Sequence, residues 1–271
     1  CGLVVGRLSG DVEISNVTGL GDVQSTFGPL GGIVGMHRAD DTHGKLSLDD
    51  VAFSGDVIGF YHDAMGAGGI IGFSNNFLIE RASYQGNVSG VMFVGGILGA
   101  GWYEREDGEP AHSGVIKNSV SRGSVTSYLK FVGGIVGDLV QSGSAYLWYI
   151  KDSYSTSLVH GYESIGGLAG YMRGVAIRTS YFNGMLGSEW QMPAGVANFE
   201  NQLASTRSTF YNSDKNPGLI EGPPINIAKT DQELRSLETF TEAYWDIGAP
   251  GSSHNWTFEV GTYPQLSWEF E

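Results

Sequence analysis

The feature that most constrains this sequence is a five-residue phrase, Gly-Gly-Ile-Val-Gly, that recurs with small changes through its first two thirds. Copies occupy residues 31–35, 68–72, 95–99, 133–137 and 166–170, and a blurred copy, GLVVG, occupies residues 2–6. Successive copies begin 27 to 38 residues apart. A phrase that stays constant while the length of chain between its copies varies is typical of a repeat protein with variable loops.

A second phrase lies between the copies of the first. It reads NVTGLGDV from Asn16, DVAFSGDV from Asp50, RASYQGNV from Arg81, NSVSRGSV from Asn118, DSYSTSLV from Asp152 and TSYFNGML from Thr179. The first phrase, a short apolar run between glycines, predicts a brief strand that turns at both ends. The alternation in the second phrase predicts a strand, a bend and another strand. One copy of each phrase therefore makes one coil.

Coils of this kind bury their apolar residues if equivalent strands pair in parallel from one coil to the next. The sequence therefore predicts an all-β fold, a parallel β-solenoid (β-helix) of about six glycine-rich coils. Two inward ladders are expected, one of Ile33, Ile70, Ile97, Ile135 and Leu168, and one of Val57, Val88, Val125 and Val159. The fourth position of the first phrase is also apolar, which predicts cover on the outer face of that strand.

The repeats end near Ser188, where the composition changes. We therefore divide the chain into a solenoid over residues 1–187 and a C-terminal capping region over residues 188–271. Thr230 and Glu233 have the spacing of a capping box, which predicts one short helix over DQELRSLETF. With the aromatic, strand-like end, this helix makes a small mixed cap, which we expect to cover the last coil.

The overall composition narrows the classes of partner. The chain has 271 residues, with 29 Asp and Glu against 15 Lys and Arg, and a formal net charge of -14. A phosphate backbone would be repelled, so we expect no nucleic-acid partner. No apolar run approaches the length of a membrane span. The single cysteine, Cys1, is a lipid-anchor candidate if it is a mature N-terminus, and the alternative is a piece of a longer chain.

Together the two phrases resemble the GLUG repeats of bacterial surface adhesins and of some secreted immunoglobulin A peptidases. The family phrase, roughly Gly-Gly-Leu-Val-Gly followed by Asn-Ser-Tyr-Ala-Thr-Gly-x-Val, is matched by GGIVG with DSYSTSLV and by GGILG with NSVSRGSV. The end of the chain also looks like the family's, with Trp245 and Asp246 before a final Gly-x-Tyr-Pro-x-Leu-x-Trp. The loops here are longer than is usual in the family. The resemblance implies an extracellular or cell-surface β-solenoid without catalytic residues in its repeats.

Aromatic residues cluster in two of the longest inserts. Trp102 and Tyr103 lie in one, and Tyr146, Trp148 and Tyr149 lie in the other. If they are exposed, these five side chains form a platform on which sugar rings can stack. If they are packed down, they cover the outer face of the solenoid. The first interpretation makes them a candidate glycan-binding site, and the second makes them structural.

We expect no cofactor, and calcium is the one metal with candidate ligands. Asn212, Asp214 and Asn216 alternate as oxygen ligands do in a calcium loop. Pro217 stands where the EF-hand pattern requires glycine, and an Asx-rich turn explains the same residues. The six histidines are scattered over different loops. Acidic residues gather in the second and fourth repeats, namely Asp40, Asp41, Asp49 and Asp50, and Glu104, Glu106, Asp107 and Glu109.

These observations predict a non-catalytic extracellular module whose stiff solenoid presents loops to a glycan or a protein. One alternative is a structural subunit that pairs with copies of itself, through an uncapped first coil, into a filament or surface layer. Another is a β-helix enzyme that acts on polysaccharides, which requires the acidic residues of the second and fourth repeats to converge in one groove.

Overall fold

The structure confirms an all-β, parallel, solenoid-like fold. It is a computed structural model that describes residues 1–39, 44–60, 66–103, 112–141, 148–199, 205–219 and 226–271. Strands make up 59% of it and helices 5%. Asp40, Asp41, Glu104, Glu106, Asp107, Glu109 and Tyr146 lie outside the described residues.

The strands follow one another closely along the chain. The first fourteen are β1 (Val5–Ser9), β2 (Val12–Leu20), β3 (Val23–Ser25), β4 (Leu30–Gly31), β5 (Val34–Arg38), β6 (Leu46–Ser54), β7 (Val57–Gly59), β8 (Ala67–Gly68), β9 (Ile71–Ser74), β10 (Phe77–Gly95), β11 (Leu98–Tyr103), β12 (Gly114–Lys117), β13 (Val120–Gly133) and β14 (Val136–Gln141).

The later strands become shorter, and the helical elements lie among the last of them. These strands are β15 (Trp148–Lys151), β16 (Tyr154–Ser155), β17 (Leu158–Gly161), β18 (Glu163–Gly166), β19 (Ala169–Arg173), β20 (Ala176–Arg178), β21 (Tyr181–Phe182), β22 (Met185–Ser188), β23 (Ala197–Phe199), β24 (Ser205–Arg207), β25 (Phe210–Asn212), β26 (Ile227–Lys229), β27 (Ile247–Gly248), β28 (Trp256–Thr257) and β29 (Gln265–Leu266). The helical elements are α1 (Leu237–Glu242) and two 3₁₀ turns, Glu233–Arg235 and Ser267–Phe270.

Strands at equivalent positions of successive coils pair in parallel. One sheet has seven strands in the order β1-β5-β9-β11-β14-β19-β23, and the remaining solenoid strands form a larger curved sheet. Both predicted inward ladders are confirmed. The isoleucine ladder is buried, and the Ile33 N–H donates to the carbonyl of Ile70 at 3.0 Å. The valine ladder is buried and in register, as Val88 with Val57 and Val125 with Val159.

The first phrase forms a corner, and the prediction of a brief strand there was wrong. A strand ends at its first glycine and the next begins at its fourth residue, as at Gly133 and Val136. A Cβ on Gly134 would collide with the carbonyl of Gly167 and the hydroxyl of Ser155, so only glycine lets neighbouring coils approach this closely. Rings that include Phe93 and Phe131 provide the expected cover, because they pack against aromatic side chains of the seven-stranded sheet.

The first residue of every second phrase has a left-handed backbone. The φ angles lie between 43° and 55° at Asn16, Asp50, Arg81, Asn118, Asp152 and Thr179, and Ser208 shares this conformation at 53°. Buried hydroxyls follow directly in the later coils. The Ser153 hydroxyl donates to the Lys151 carbonyl at 2.8 Å and accepts the Ser119 N–H at 3.1 Å. This hydroxyl ladder satisfies the backbone where it bends.

Parallel pairing continues beyond the predicted boundary at residues 187 and 188. β23 pairs with β19, β24 with β20, β25 with β21, and β26 with β25. Ser208 therefore begins a seventh second phrase, STFYNSDK, and we number the coils one to seven by these phrases. The division into two domains stays a prediction, but solenoid pairing itself reaches Lys229.

The C-terminal segment packs along the side of the solenoid, where an end cap was expected. Its Leu234, Phe240, Trp245, Ile247, Trp256, Phe258 and Leu266 form one buried cluster with Val120, Tyr154, Tyr181 and Phe210 of coils four to seven. The Thr230–Glu233 capping box is present, with the Thr230 N–H donating to the Glu233 carboxylate at 2.8 Å. The helix it predicted is divided at Ser236, whose backbone is extended, into a 3₁₀ turn and the six-residue α1.

Candidate functional site

The predicted aromatic platform does not form as one exposed surface. Trp148 and Tyr103 are buried, Trp102 and Tyr149 are half-buried, and Tyr146 lies outside the described residues. Trp148 faces inwards, where its ring packs edge-on against Phe77 at 5.3 Å and its indole N–H donates to the carbonyl of His112 at 3.0 Å. These rings fill and cover the solenoid because each occupies a strand position whose neighbours are already apolar.

Trp102 covers the outer face of the seven-stranded sheet and holds an acidic side chain there. Its indole N–H donates to Oδ2 of Asp138, one coil later, at 2.6 Å. The other oxygen of this carboxylate, Oδ1, is buried without a hydrogen-bond partner. Burial raises the pKa of Asp138 to about 7, against the smaller opposing effects of the Trp102 hydrogen bond and the Arg173 and Lys130 charges.

The calcium candidates form an Asx-rich turn. Asn212 Oδ1 accepts the N–H groups of Asp214 and Lys215, and Asn216 Oδ1 accepts the N–H of Leu186 at 2.8 Å. Asp214 Oδ2 accepts the N–H of Asp231 at 2.8 Å. These oxygens join the turn to coil six and to the chain that follows. Calcium binding here stays a prediction.

Within the described ranges, no three His, Cys, Asp or Glu side chains gather as metal ligands would. Of the acidic residues weighed for catalysis, Asp49 pairs with Arg81 at 2.5 Å, and Asp50 is exposed. The rest of that set lies outside the described residues, so the convergence that an enzyme would require stays untested.

A row of exposed aromatic side chains follows one corner of the solenoid. In coils one, two, four, five and six, an aromatic residue lies between the valine-ladder position and the next copy of the first phrase. Tyr128 lies within the continuous strand β13, and the others lie between strands. We call this row the aromatic corner; its members and their exposed fractions are Phe27 (66%), Phe60 (56%), Tyr128 (62%), Tyr162 (38%) and Trp190 (74%). Exposed apolar rings that align over several coils are typical of an interaction surface.

Tyr162 and Trp190, on neighbouring coils, stack on each other within this corner. Their rings stack with centroids 5.7 Å apart and planes 12° from parallel. The residues on either side of Trp190 are both bonded to coil five. The Glu189 N–H donates to the Gly161 carbonyl at 3.4 Å, the Gln191 N–H donates to the Tyr162 carbonyl at 3.2 Å, and Gln191 Oε1 accepts the Ser164 N–H at 2.9 Å. Within the described residues, the Trp190 indole N–H makes no hydrogen bond.

A cleft of about 430 Å³ adjoins this pair at the edge of coil six. Trp190, Gln191 and Met192 line one side, and the segment from Lys215 to Leu219 lines the other. His160, one coil earlier, lies 3.8 Å from the carboxylate of Glu189 at its rim. A rigid exposed ring beside a cleft with amide and charged groups is the combination that binds a saccharide, through stacking and through hydrogen bonds to hydroxyls.

Comparison with known proteins gives one informative similarity. Halomucin of Haloquadratum walsbyi (strain DSM 16790 / HBSQ001) is 34% identical to this chain over 143 residues, which is 50% of this chain and 2% of halomucin. No family model matches the chain, so the resemblance to GLUG repeats stays a prediction, and no solved structure matches it significantly.

Halomucin is a cell-surface protein, and the similarity is compatible with an extracellular or surface location for this chain. None of the helices in the described ranges has the length and apolar content that crossing a bilayer requires.

The sequence contains a signal for the aromatic corner in the spacing between aromatic residues and the first phrase. Phe27, Tyr128 and Tyr162 each precede a copy of the first phrase by four or five residues. Trp190 precedes the degenerate copy AGVA at 194–197 by four, and the Val196 carbonyl accepts the N–H groups of Leu168 and Ala169 as an ordinary copy would. Aligning the aromatics to the phrase identifies the corner, whereas searching the inserts identifies buried rings.

Proposed function

We propose that this chain is a non-catalytic module of a surface or extracellular protein, and that its aromatic corner binds glycans. The observation that supports this most is the stacked, exposed Tyr162–Trp190 pair beside the cleft of coil six. Exposed tryptophan is costly for a soluble protein, and this one is held by hydrogen bonds on both sides of its loop.

The solenoid supports the proposed function by its rigidity. Because successive coils pair through parallel strands, corner residues of adjacent coils lie about one strand spacing, roughly 4.8 Å, apart. The row is interrupted at coil three, which has no aromatic member and where the register shifts between Gly90 and Met92. Rings placed at this interval offer a linear saccharide several stacking sites in one row. The similarity to halomucin, a cell-surface protein, supports a setting in which such glycans occur.

The test is affinity electrophoresis of the full chain in gels that contain linear neutral β-glucans and galactans. Retardation of the parent protein, reduced about threefold to tenfold in apparent affinity by Trp190→Ala, is the expected result, because stacking on an aromatic ring contributes on the order of 0.5–1.5 kcal/mol. Tyr244→Ala is the matched control, since Tyr244 is 87% exposed but lies in the C-terminal segment.

Two outcomes would overturn the assignment. If no glycan retards the parent chain, or if Tyr244→Ala weakens retardation as much as Trp190→Ala, the corner is not a glycan site. A concentration-dependent increase in mass by light scattering that Trp190→Ala abolishes would instead make the corner a contact between copies of the chain, which is the self-assembly alternative.

A further inference from the structure

Four basic side chains form a column on one face of the large curved sheet. Lys117 pairs in register with Lys151, Lys151 with Arg178, and Arg178 with Arg207, each one coil after the last. We call these four residues the basic column. The residues one position earlier in each strand, Ile116, Ile150, Ile177 and Thr206, are buried, so the basic residues alternate with them and face outwards.

This arrangement is unfavourable in the protein alone. Like charges directly opposite each other on neighbouring strands repel. The chain has 15 Lys and Arg against 29 Asp and Glu, and four of the 15 occupy this one column. In the earlier coils the equivalent positions of this column hold Asp49 and Glu80. Opposite charges could therefore have alternated along the column, but in the later coils they do not. Acidic residues of the chain must therefore compensate each charge of this column, or an anionic partner must do so.

The two ends of the basic column differ in whether their charges have acidic partners. Lys117 pairs with Glu80 at 2.8 Å, and Lys151 pairs with Asp152 at 3.2 Å. Arg178 and Arg207 are exposed and have no acidic partner among the described residues. Two guanidinium groups on adjacent coils, directed to solvent and uncompensated, are the strongest anion-binding feature of this face.

We propose that the basic column binds a linear acidic polysaccharide that lies along the solenoid axis, with carboxylates of the chain on Arg178 and Arg207. Adjacent coils are about 4.8 Å apart, and a pyranose unit with its linkage is about as long as this spacing. Guanidinium groups bind carboxylates through two parallel hydrogen bonds. Tyr149, half-buried two residues before Lys151 on the same face, adds an aromatic surface beside the chain.

A single-stranded nucleic acid fits this face less well. Single-stranded nucleic acids bind through several stacked aromatic rings, whereas within strands β12, β15, β20 and β24 Tyr149 is the one outward-facing aromatic residue.

This inference goes beyond the proposed function, because it names a second ligand class on a different face from the aromatic corner. The two are tested by different variants. Trp190→Ala removes the corner and leaves the basic column intact, so binding of an acidic polysaccharide by Trp190→Ala separates failure of one proposal from failure of the other.

The experiment is calorimetric titration of the full chain with decagalacturonate at low ionic strength, and with the fully methyl-esterified decamer as the neutral probe. The expected result is binding of the acid form alone. The double variant Arg178→Gln with Arg207→Gln should lose at least about tenfold in affinity, because each removes a charge-assisted hydrogen-bonding group. Arg7→Gln with Arg38→Gln is the matched control, since both residues are exposed on the other sheet.

The proposal is overturned if decagalacturonate does not bind, or if both double variants lose affinity equally, which would show a general charge effect. It is also overturned if poly-L-glutamate or a single-stranded oligonucleotide binds as tightly as decagalacturonate. An increase in sedimentation coefficient that depends on Arg178 and Arg207 in the absence of polysaccharide would make the column a self-association surface and would likewise overturn it.

Discussion

The Trp102 indole N–H donates to the Asp138 carboxylate across two neighbouring coils, at 2.6 Å, while the second oxygen of Asp138 is buried without a partner. The sequence left two interpretations open for Trp102, a sugar-stacking platform or cover of the outer face. Trp102 covers the outer face of the seven-stranded sheet, where it orients a buried acid and where the rings of Phe93 and Phe73 pack against its indole. The first prediction concerns the ionisation of this acid.

Folding raises the pKa of Asp138 from 3.8 to about 7, so between these values the folded state holds a proton that the unfolded state has released. Ionisation of Asp138 therefore destabilises the folded state increasingly as the pH rises from about 4 to about 7, and this loss of stability is complete above pH 7. Asp138→Asn should raise the free energy of unfolding at pH 8 by on the order of 2 kcal/mol, with little change at pH 4. Denaturant unfolding at both pH values measures this.

Asp22→Asn is the control for the loss of one negative charge, because Asp22 is exposed in coil one. Its effect on unfolding should be small at both pH values. A stabilisation by Asp138→Asn that is equal at pH 4 and pH 8 would contradict the account, since it would not follow the ionisation of the carboxylate.

The second prediction tests the first phrase as a close approach between coils. Gly134→Ala places a methyl group against the Gly167 carbonyl and the Ser155 hydroxyl of the next coil. Because backbone cannot move there without breaking the parallel ladder, we expect a loss of about 3 kcal/mol in unfolding free energy. Gly6→Ala, with no atom within 4 Å of the added carbon, should be nearly neutral in the same denaturant titration.

The third prediction concerns the hydroxyl ladder at the left-handed bends. Ser153→Ala removes the acceptor of the Ser119 N–H, which is fully buried. An unsatisfied buried donor costs about 2 kcal/mol, and thermal unfolding should show a lower midpoint. Ser205→Ala, at an exposed position of β24, should leave the midpoint unchanged; equal effects of the two variants would exclude a special role for the ladder.

The fourth prediction tests how the C-terminal segment is attached. The Tyr181 ring stacks on Tyr154 at 5.0 Å, and its hydroxyl donates to the Pro264 carbonyl at 2.6 Å. Tyr181→Phe should lose about 1 kcal/mol, and Tyr181→Ala about 4 kcal/mol, because the second also removes the ring from the buried cluster. Limited proteolysis should release the segment after Lys229 early in Tyr181→Ala and at the parental rate in Tyr181→Phe. Equal release from both would place the attachment elsewhere.

The coils were predictable because their signals are local and repeated. Glycine in the first phrase and valine in the second recur at fixed offsets, so Ile97 and Val125 could be placed in the core from spacing alone. The left-handed backbone of Arg81 could not be predicted from the sequence, because arginine has no preference for this conformation. Coil stacking imposes that conformation, and its cost is offset by hydrogen bonds between neighbouring coils.

The seventh coil and the packing of the C-terminal segment were missed for different reasons. The copy that begins at Ser208 lacks the closing glycine and valine, so it matches the second phrase less well than the other copies do. The segment depends on contacts between distant residues, such as that of Arg122 with Glu269, and no local periodicity reveals them. Trp148 is buried because it lies in register with Gly114, which has no side chain and so leaves space for the indole ring.

The lateral packing of the C-terminal segment has a consequence for how the repeat number of this protein can change. Among the described residues, the buried cluster that holds the segment takes its solenoid members, Val120, Tyr154, Tyr181 and Phe210, from coils four to seven. An added or deleted coil among the first three therefore leaves the anchors of the segment in place. A coil inserted between Val120 and Phe210 would shift one anchor of the segment relative to the next by one strand spacing. Length variation among related chains should therefore be confined to the coils that precede Val120.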